Sequence, residues 1–157
     1  MWKRLQRFRA LSPEARKDFF RAAVLLPAIS VSLRIRGFRA TQQALLNFTK
    51  SSKVHQPLPE HEAESHRVAV AVRMVNAAAR NGCGGFTCLE KSLVLWWLLL
   101  RQGIASTVRI GARRAEGKFE AHAWVEFEGM ALNEPQQEHR HFAPFDAEFP
   151  VHNSETS

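Results

Sequence analysis

Cys88 carries the clearest chemical signature in this 157-residue chain. It follows the glycine-rich stretch Cys83-Gly84-Gly85-Phe86 and lies within Thr87-Cys88-Leu89-Glu90, directly before a long apolar run. A Ser/Thr-x-x-Glu pattern at that place is a capping box, so Thr87 reads as the N-cap and Cys88 as the first helical residue. The first turn of a helix presents free N–H groups and the positive end of the helix dipole. That environment favours an anion, and a cysteine placed there is a candidate nucleophile. The glycines would let a substrate backbone approach. The competing reading is a buried, inert cysteine.

A nucleophilic cysteine needs a base. His122 is the candidate, in the apolar-rich run Phe119-Glu120-Ala121-His122-Ala123-Trp124-Val125-Glu126-Phe127. Read as a strand, this run places His122 on one face with Trp124 and Glu126. A strand histidine alone is usually structural. A thiol at a helix start facing an imidazole on a sheet is the arrangement of cysteine proteases.

The base in turn needs an orienting group, and Asn133 and Glu134 compete for that role. A two-residue loop, Glu128-Gly129, pairs Phe127 with Met130 and puts Asn133 opposite Trp124. A three-residue loop with a glycine bulge pairs Glu126 with Met130 and puts Glu134 opposite His122. The x-acid-Gly sequence favours the bulged loop. Glu134 is therefore the expected third member, with Asn133 as runner-up. A carboxylate or an amide can hold the imidazole tautomer, but only the carboxylate also stabilises imidazolium by charge.

Several elements must position these residues. Ser12-Pro13-Glu14 starts a helix that is expected to stop before Pro27. Further helical stretches are expected over 28–36, ending near Gly37, and over 41–48. Residues 50–66 are polar, with two prolines and three glutamates, and read as a loop. Over 67–80, Val68, Ala71, Val72, Val75, Ala78 and Ala79 form one apolar stripe, ended by Asn81-Gly82. Residues 89–101 are apolar almost all round, which predicts a buried helix closed by Gly103. Strands are expected over 107–112, 119–127 and 130–134, with turns at 115–117 and 128–129. The tail from Gln136 reads as irregular. Helices first and an antiparallel meander after make an α+β fold. The expected organisation is a basic helical segment over 1–53, a linker over 54–66 and a compact unit over 67–157.

Composition excludes other classes. The 45% apolar and 24% charged fractions are those of a globular domain, and 157 residues can bury a core without staples. Two cysteines five apart make neither a disulfide framework nor a zinc ribbon, and they fit a reducing cytosol. Cys83 reads as a loop thiol that would pair with Cys88 only under oxidation. His139, His141 and His152, with Glu138 and Asp146, lie in the tail without a scaffold to fix metal geometry, so no metal is expected. Residues 1–53 hold 12 Lys and Arg against 2 Asp and Glu, whereas the remainder holds 10 against 13. A basic front attracts anionic partners. It lacks RNA-recognition and zinc-finger signatures, so nucleic acid is not expected. The apolar run 19–35 is interrupted by Arg21, Pro27 and Arg34, so the chain reads as cytoplasmic and not membrane-spanning, with membrane contact not expected.

Together, Thr87-Cys88-Leu89-Glu90-Lys91-Ser92-Leu93 with its continuation to Ile104, Arg109-Ile110-Gly111, Ala121-His122-Ala123-Trp124-Val125-Glu126 and Gly129 resemble the leader peptidase of lasso-peptide biosynthesis. That is a transglutaminase-like, microcin-processing B-protein family. The resemblance implies a transglutaminase-like or papain-like core, with a cysteine-bearing central helix packed on an antiparallel sheet. It implies a Cys-His-acid peptidase that cuts the leader from a precursor peptide and needs no cofactor. Cys88 matches the family nucleophile and His122 the base. The family acid, usually Asp, falls at Glu134, one methylene longer. A separate leader-recognition protein and an ATP-dependent cyclase are the implied partners. The alternatives are a transglutaminase-like acyltransferase with the same triad and a non-enzymatic basic binding module.

Overall fold

The computed structural model describes residues 11–50, 61–82, 84–115, 117–133 and 140–144. Among these residues, three helices, α1 (Pro13–Lys50), α2 (His61–Asn81) and α3 (Cys88–Arg101), precede four strands, β1 (Thr107–Ala115), β2 (Lys118–Phe127), β3 (Met130–Ala131) and β4 (Ala143–Pro144). The architecture is α+β, as the sequence predicts.

Helix α1 starts where expected, with Ser12 Oγ accepting from the Ala15 amide at 3.2 Å. It does not stop at Pro27. Proline removes one intrahelical hydrogen bond. Leu26 and Ile29, both buried, hold the helix to the core on either side of it. The real break is Gly37, at φ 78° and ψ 179°, a conformation essentially reserved for glycine. Thr41 ties the break together: its hydroxyl donates to the Gly37 carbonyl and meets the Ser32 hydroxyl, both at 2.8 Å. α1 is apolar on two sides, with Ala22, Leu26 and Ile29 buried and Phe20, Val24, Val31 and Ile35 exposed. Among the described residues no helix is long and apolar enough to cross a membrane.

Helix α2 begins at His61, six residues before its expected start at residue 67, so the expected linker over 54–66 is helical from His61 on. Its first turn carries Glu62 and Glu64, which suit the positive helix end although they make the segment look like a polar linker. The described part of the basic front shares one apolar cluster with the rest of the chain: Ala22, Leu26, Ile29 and Leu45 of α1 join Val68, Ala71 and Val75 of α2 and Leu93–Leu99 of α3. Helix α3 is the axis of that cluster, buried from Ser92 to Leu99. Trp97 Nε1 donates to the Leu45 carbonyl of α1 at 3.2 Å.

The sheet is antiparallel, in the order β3-β2-β1-β4. β1 runs three residues beyond its expected end, so that Ala115 pairs with Lys118 across a two-residue turn. β3 is shorter than expected, only two residues. Phe127 pairs with Met130, so the β2–β3 loop is also two residues long, and the expected three-residue bulged loop is corrected. Glu128 at φ 49° and Gly129 at φ 75° both take the left-handed conformation of a type I′ turn, whose twist suits a tight hairpin. β4 was not expected at all. It arises in the tail read as irregular and pairs Ala143 with Ala112 and Pro144 with Gly111.

Candidate active site

Cys88 is the first residue of α3, half-buried, and its thiol is free. The capping box is complete. Thr87 Oγ1 accepts from the Glu90 amide at 3.4 Å, and Glu90 Oε2 accepts from the Thr87 amide at 2.6 Å and from its hydroxyl at 3.1 Å. Glu90 is buried. Burial is the largest single influence on its carboxyl and pushes it up. Hydrogen bonds from Ser30 and Thr87, with the charge of Arg34, outweigh burial and hold it below the usual glutamate range. The cap is thus ionised and anchored to α1, which fixes the first turn of α3 and Cys88 with it.

One turn on, Ser92 lies on the same helix face as Cys88 and is completely buried. Its hydroxyl donates to the Ala123 carbonyl of β2 at 3.0 Å and accepts from Asn133 Nδ2 at 2.9 Å. Asn133 Oδ1 accepts from the Val125 amide at 2.8 Å. The amide side chain therefore continues the strand pairing where β3 has ended, and Ser92 closes the bridge. This network joins the Cys88 face of α3 to β2 at Ala123, the residue after His122. Sequence reasoning missed Ser92. Its signal was a lone small hydroxyl in an otherwise apolar run, four residues after the cysteine.

His122 is half-buried on β2, opposite Gly111 of β1. Its ring stacks on Trp124, with centroids 6.2 Å apart and an interplanar angle of 19°. Phe142, from the segment leading into β4, packs on it at 5.2 Å and 35°. Gly111 makes this possible. A Cβ there would lie 2.9 Å from Phe142 Cβ, 3.0 Å from the Ala143 carbonyl oxygen and 3.0 Å from the Trp124 ring. Arg113 covers the Phe142 ring, its guanidinium carbon 4.6 Å from the centroid. Phe142 is a second residue that sequence reasoning missed, because it comes from the tail read as irregular.

The expected third members fare differently. Asn133 bridges α3 and β2 through Ser92 Oγ and the Val125 amide. Glu134 lies outside the described residues, and the loop argument that favoured it falls with the two-residue turn. Cys83, Glu138, His139, Asp146 and His152 also lie outside the described residues. His141 is exposed, and among the described residues no three His, Cys, Asp or Glu side chains group to hold a metal. Two clefts lie elsewhere: one among α1, α2 and the end of α3, and one between α2 and the β2–β3 hairpin. Neither of these two clefts is lined by Cys88 or His122.

The arrangement can present a half-buried thiol at a helix N-terminus beside a strand that carries an aromatic-packed imidazole. Comparison with known proteins points the same way. A family model described as transglutaminase-like superfamily matches residues 25–146, a span holding α3, the whole sheet and both candidate residues. Neither the curated proteins nor the solved structures give a significant match. Domains of this superfamily are typically cysteine-dependent enzymes, of the protease or acyltransferase type. With its helix-borne cysteine and strand-borne histidine inside a match that covers most of its length, the chain belongs to the transglutaminase-like superfamily.

Proposed function

We propose that this chain is a cysteine peptidase that removes the leader from a lasso-peptide precursor. One observation carries the reading: Cys88 opens a capped helix whose same face is tied, through Ser92, to β2 beside His122. The Cys88 thiolate attacks the carbonyl at the leader–core junction. Backbone N–H groups at the start of α3 receive the oxyanion. His122 protonates the departing core amine, and the leader remains as a thioester on Cys88. His122 then takes a proton from water, the hydroxide releases the leader as a carboxylic acid, and the thiol is restored. Glu134, which the resemblance places at the family acid, holds the imidazole, with Asn133 as the alternative. The freed amine passes to a separate ATP-dependent cyclase. A separate leader-recognition protein delivers the precursor, and the reaction takes place in the cytoplasm.

Two experiments test this. The first treats the folded protein with iodoacetamide at about pH 6, where an ordinary thiol with a pKa of about 8.5 reacts slowly, and maps the label. Fast labelling of Cys88 that slows in His122→Ala supports the pair, whereas an inert Cys88, with the leader-binding partner present, removes it. The second incubates the protein with the precursor peptide and that partner. A leader fragment ending in a free carboxylate is expected, with Cys88→Ala inactive and His122→Ala slower by roughly 10³-fold or more. A leader joined to an added amine instead would make the chain an acyltransferase.

A further inference from the structure

The end of α3 remote from Cys88 borders a cleft of about 200 Å³ that the peptidase reading does not use. Three helices meet there. Lys17 and Arg21 come from the first turns of α1, Arg67 from α2 and Arg101 from the last turn of α3. Among the described residues, two carboxylates, Glu14 and Asp18, line the cleft with these four cations. Arg21 is engaged by Asp18 at 3.3 Å, and Asp18 also accepts from Gln102 at 3.1 Å. Arg67 lies in the wall of the cleft, and its buried Nε has no hydrogen-bond partner. Burial holds Arg101 below the usual arginine range, and the positive charge of Arg21 adds to this against the opposing charge of Asp18. Guanidinium groups held among excess like charge are costly, and a neighbouring anion with several acceptor oxygens offsets that cost.

We propose that this cleft binds a compact, multiply charged oxyanion of the phosphate or diphosphate class. Size supports the assignment, because 200 Å³ lies below the roughly 300 Å³ at which pockets begin to enclose drug-sized ligands, so an anionic group fits and a larger body stays outside. Charge supports it too, because the described lining of the cleft carries more cations than carboxylates, and a phosphate group carries about −1.5 to −2 near neutrality. The planar fork of arginine matches such oxygens bidentately. Helix α3 separates this cleft from Cys88 by about 20 Å at 1.5 Å per residue, so the inference does not rest on the catalytic reading.

The test is thermal unfolding of the whole chain at constant ionic strength, with inorganic phosphate, pyrophosphate, ADP, acetate or chloride added. Inorganic phosphate and pyrophosphate at about 10 mM are expected to raise Tm by about 3 °C or more in a saturable way, and acetate and chloride are not. A matching shift with ADP would show that the phosphates are recognised when carried on a nucleoside, and its absence that the free anion is the ligand. Arg67→Gln and, separately, the exposed Lys17→Gln are expected to abolish or halve the shift, while Arg114→Gln on the sheet leaves it intact. Equal shifts with acetate or chloride, or an unchanged phosphate shift in both Arg67→Gln and Lys17→Gln, would overturn the proposal.

Discussion

The two ends of α3 are both closed by local hydrogen bonds and yet behave as opposites. At the start, Thr87 and Glu90 satisfy each other's N–H groups. At the finish, the Gly103 amide donates to the Leu100 carbonyl and the Ile104 amide to the Leu99 carbonyl, with Gly103 at φ 74°. What differs is the charge around them. Glu90 is surrounded by donors and by Arg34 and is held ionised below its usual range. Asp18, which Gln102 tethers to the other end, is pushed up: burial raises it more than Arg21 and Gln102 can lower it, and Glu14 adds to the rise. One end is a satisfied network around a thiol. The other is a cluster of cations whose nearest carboxylate is reluctant to ionise. A rigid, complete network suits a group that must be held still for chemistry, whereas an incomplete one suits a group that waits for a ligand.

The largest expected break is at the strand side of the satisfied end. Gly111→Val puts a Cβ within 3.0 Å of the Ala143 carbonyl oxygen, which belongs to the β1–β4 pairing and cannot simply rotate away. Overpacking of this kind costs about 3 kcal/mol. Phe142 would lift from His122, so thermal unfolding should shift down by several degrees and the Cys88 labelling rate should fall with it. A protein unchanged in both would show that β4 does not hold the histidine.

Ser92→Ala is next. It removes a donor from the Ala123 carbonyl and an acceptor from Asn133 at a fully buried position, a loss of about 2 kcal/mol in chemical unfolding. Asn133→Ala should cost a similar amount. The double variant should cost clearly less than the sum, because both residues belong to one bridge. Strict additivity would mean that the bridge does not act as a unit.

Which of these features the sequence shows depends on how local they are. Thr87-x-x-Glu90 is a four-residue rule with a direct physical cause, and the helix it caps follows. The stripe of α2 and the apolar run of α3 are equally local, because helical periodicity is read within one segment. The site's third partner is not. Whether Glu134 falls opposite His122 or Asn133 falls opposite Trp124 depends on one residue of loop length, and Glu128 adopts a left-handed conformation that glycine or asparagine would have signalled more plainly. β4 is a two-residue strand whose pairing partner lies about 30 residues upstream, so neither period nor propensity marks it, and Phe142 stayed hidden with it. Pro27 misled for the same reason: its local cost is real, but Leu26 and Ile29 offset it through contacts that only the packed structure holds.

Glu90→Gln isolates the charge of the satisfied end, since glutamine still accepts from the Thr87 amide. About 1 kcal/mol should be lost at pH 7. The sign with pH follows from the lowered carboxyl. Stability supplied by ionised Glu90 is present above its unfolded value and disappears as the pH falls through the lower folded one. The wild type should therefore lose stability on acidification over that window, while the variant does so less, and the two curves should meet at acid pH. Parallel curves would show that the charge is not what the cap uses.

Asp18→Asn at the opposite end should have the smallest effect and the opposite sign. The raised carboxyl means that the folded protein holds this proton more tightly than the unfolded chain. Stability is then lost as pH rises from the unfolded value through the higher folded one, and a penalty remains at pH 7. Asparagine keeps an oxygen for Arg21 and Gln102 without the buried charge, so unfolding at pH 7 should shift up by a few tenths of a kcal/mol, and the difference should vanish in acid. The same change removes one of the two carboxylates that face the cations of the cleft, so it should strengthen phosphate binding while it relieves the fold. If Asp18→Asn destabilised the protein at pH 7 as Glu90→Gln does, the ends of α3 would not be electrostatic opposites, and the ionised Asp18–Arg21 pair would be a stabilising part of the fold.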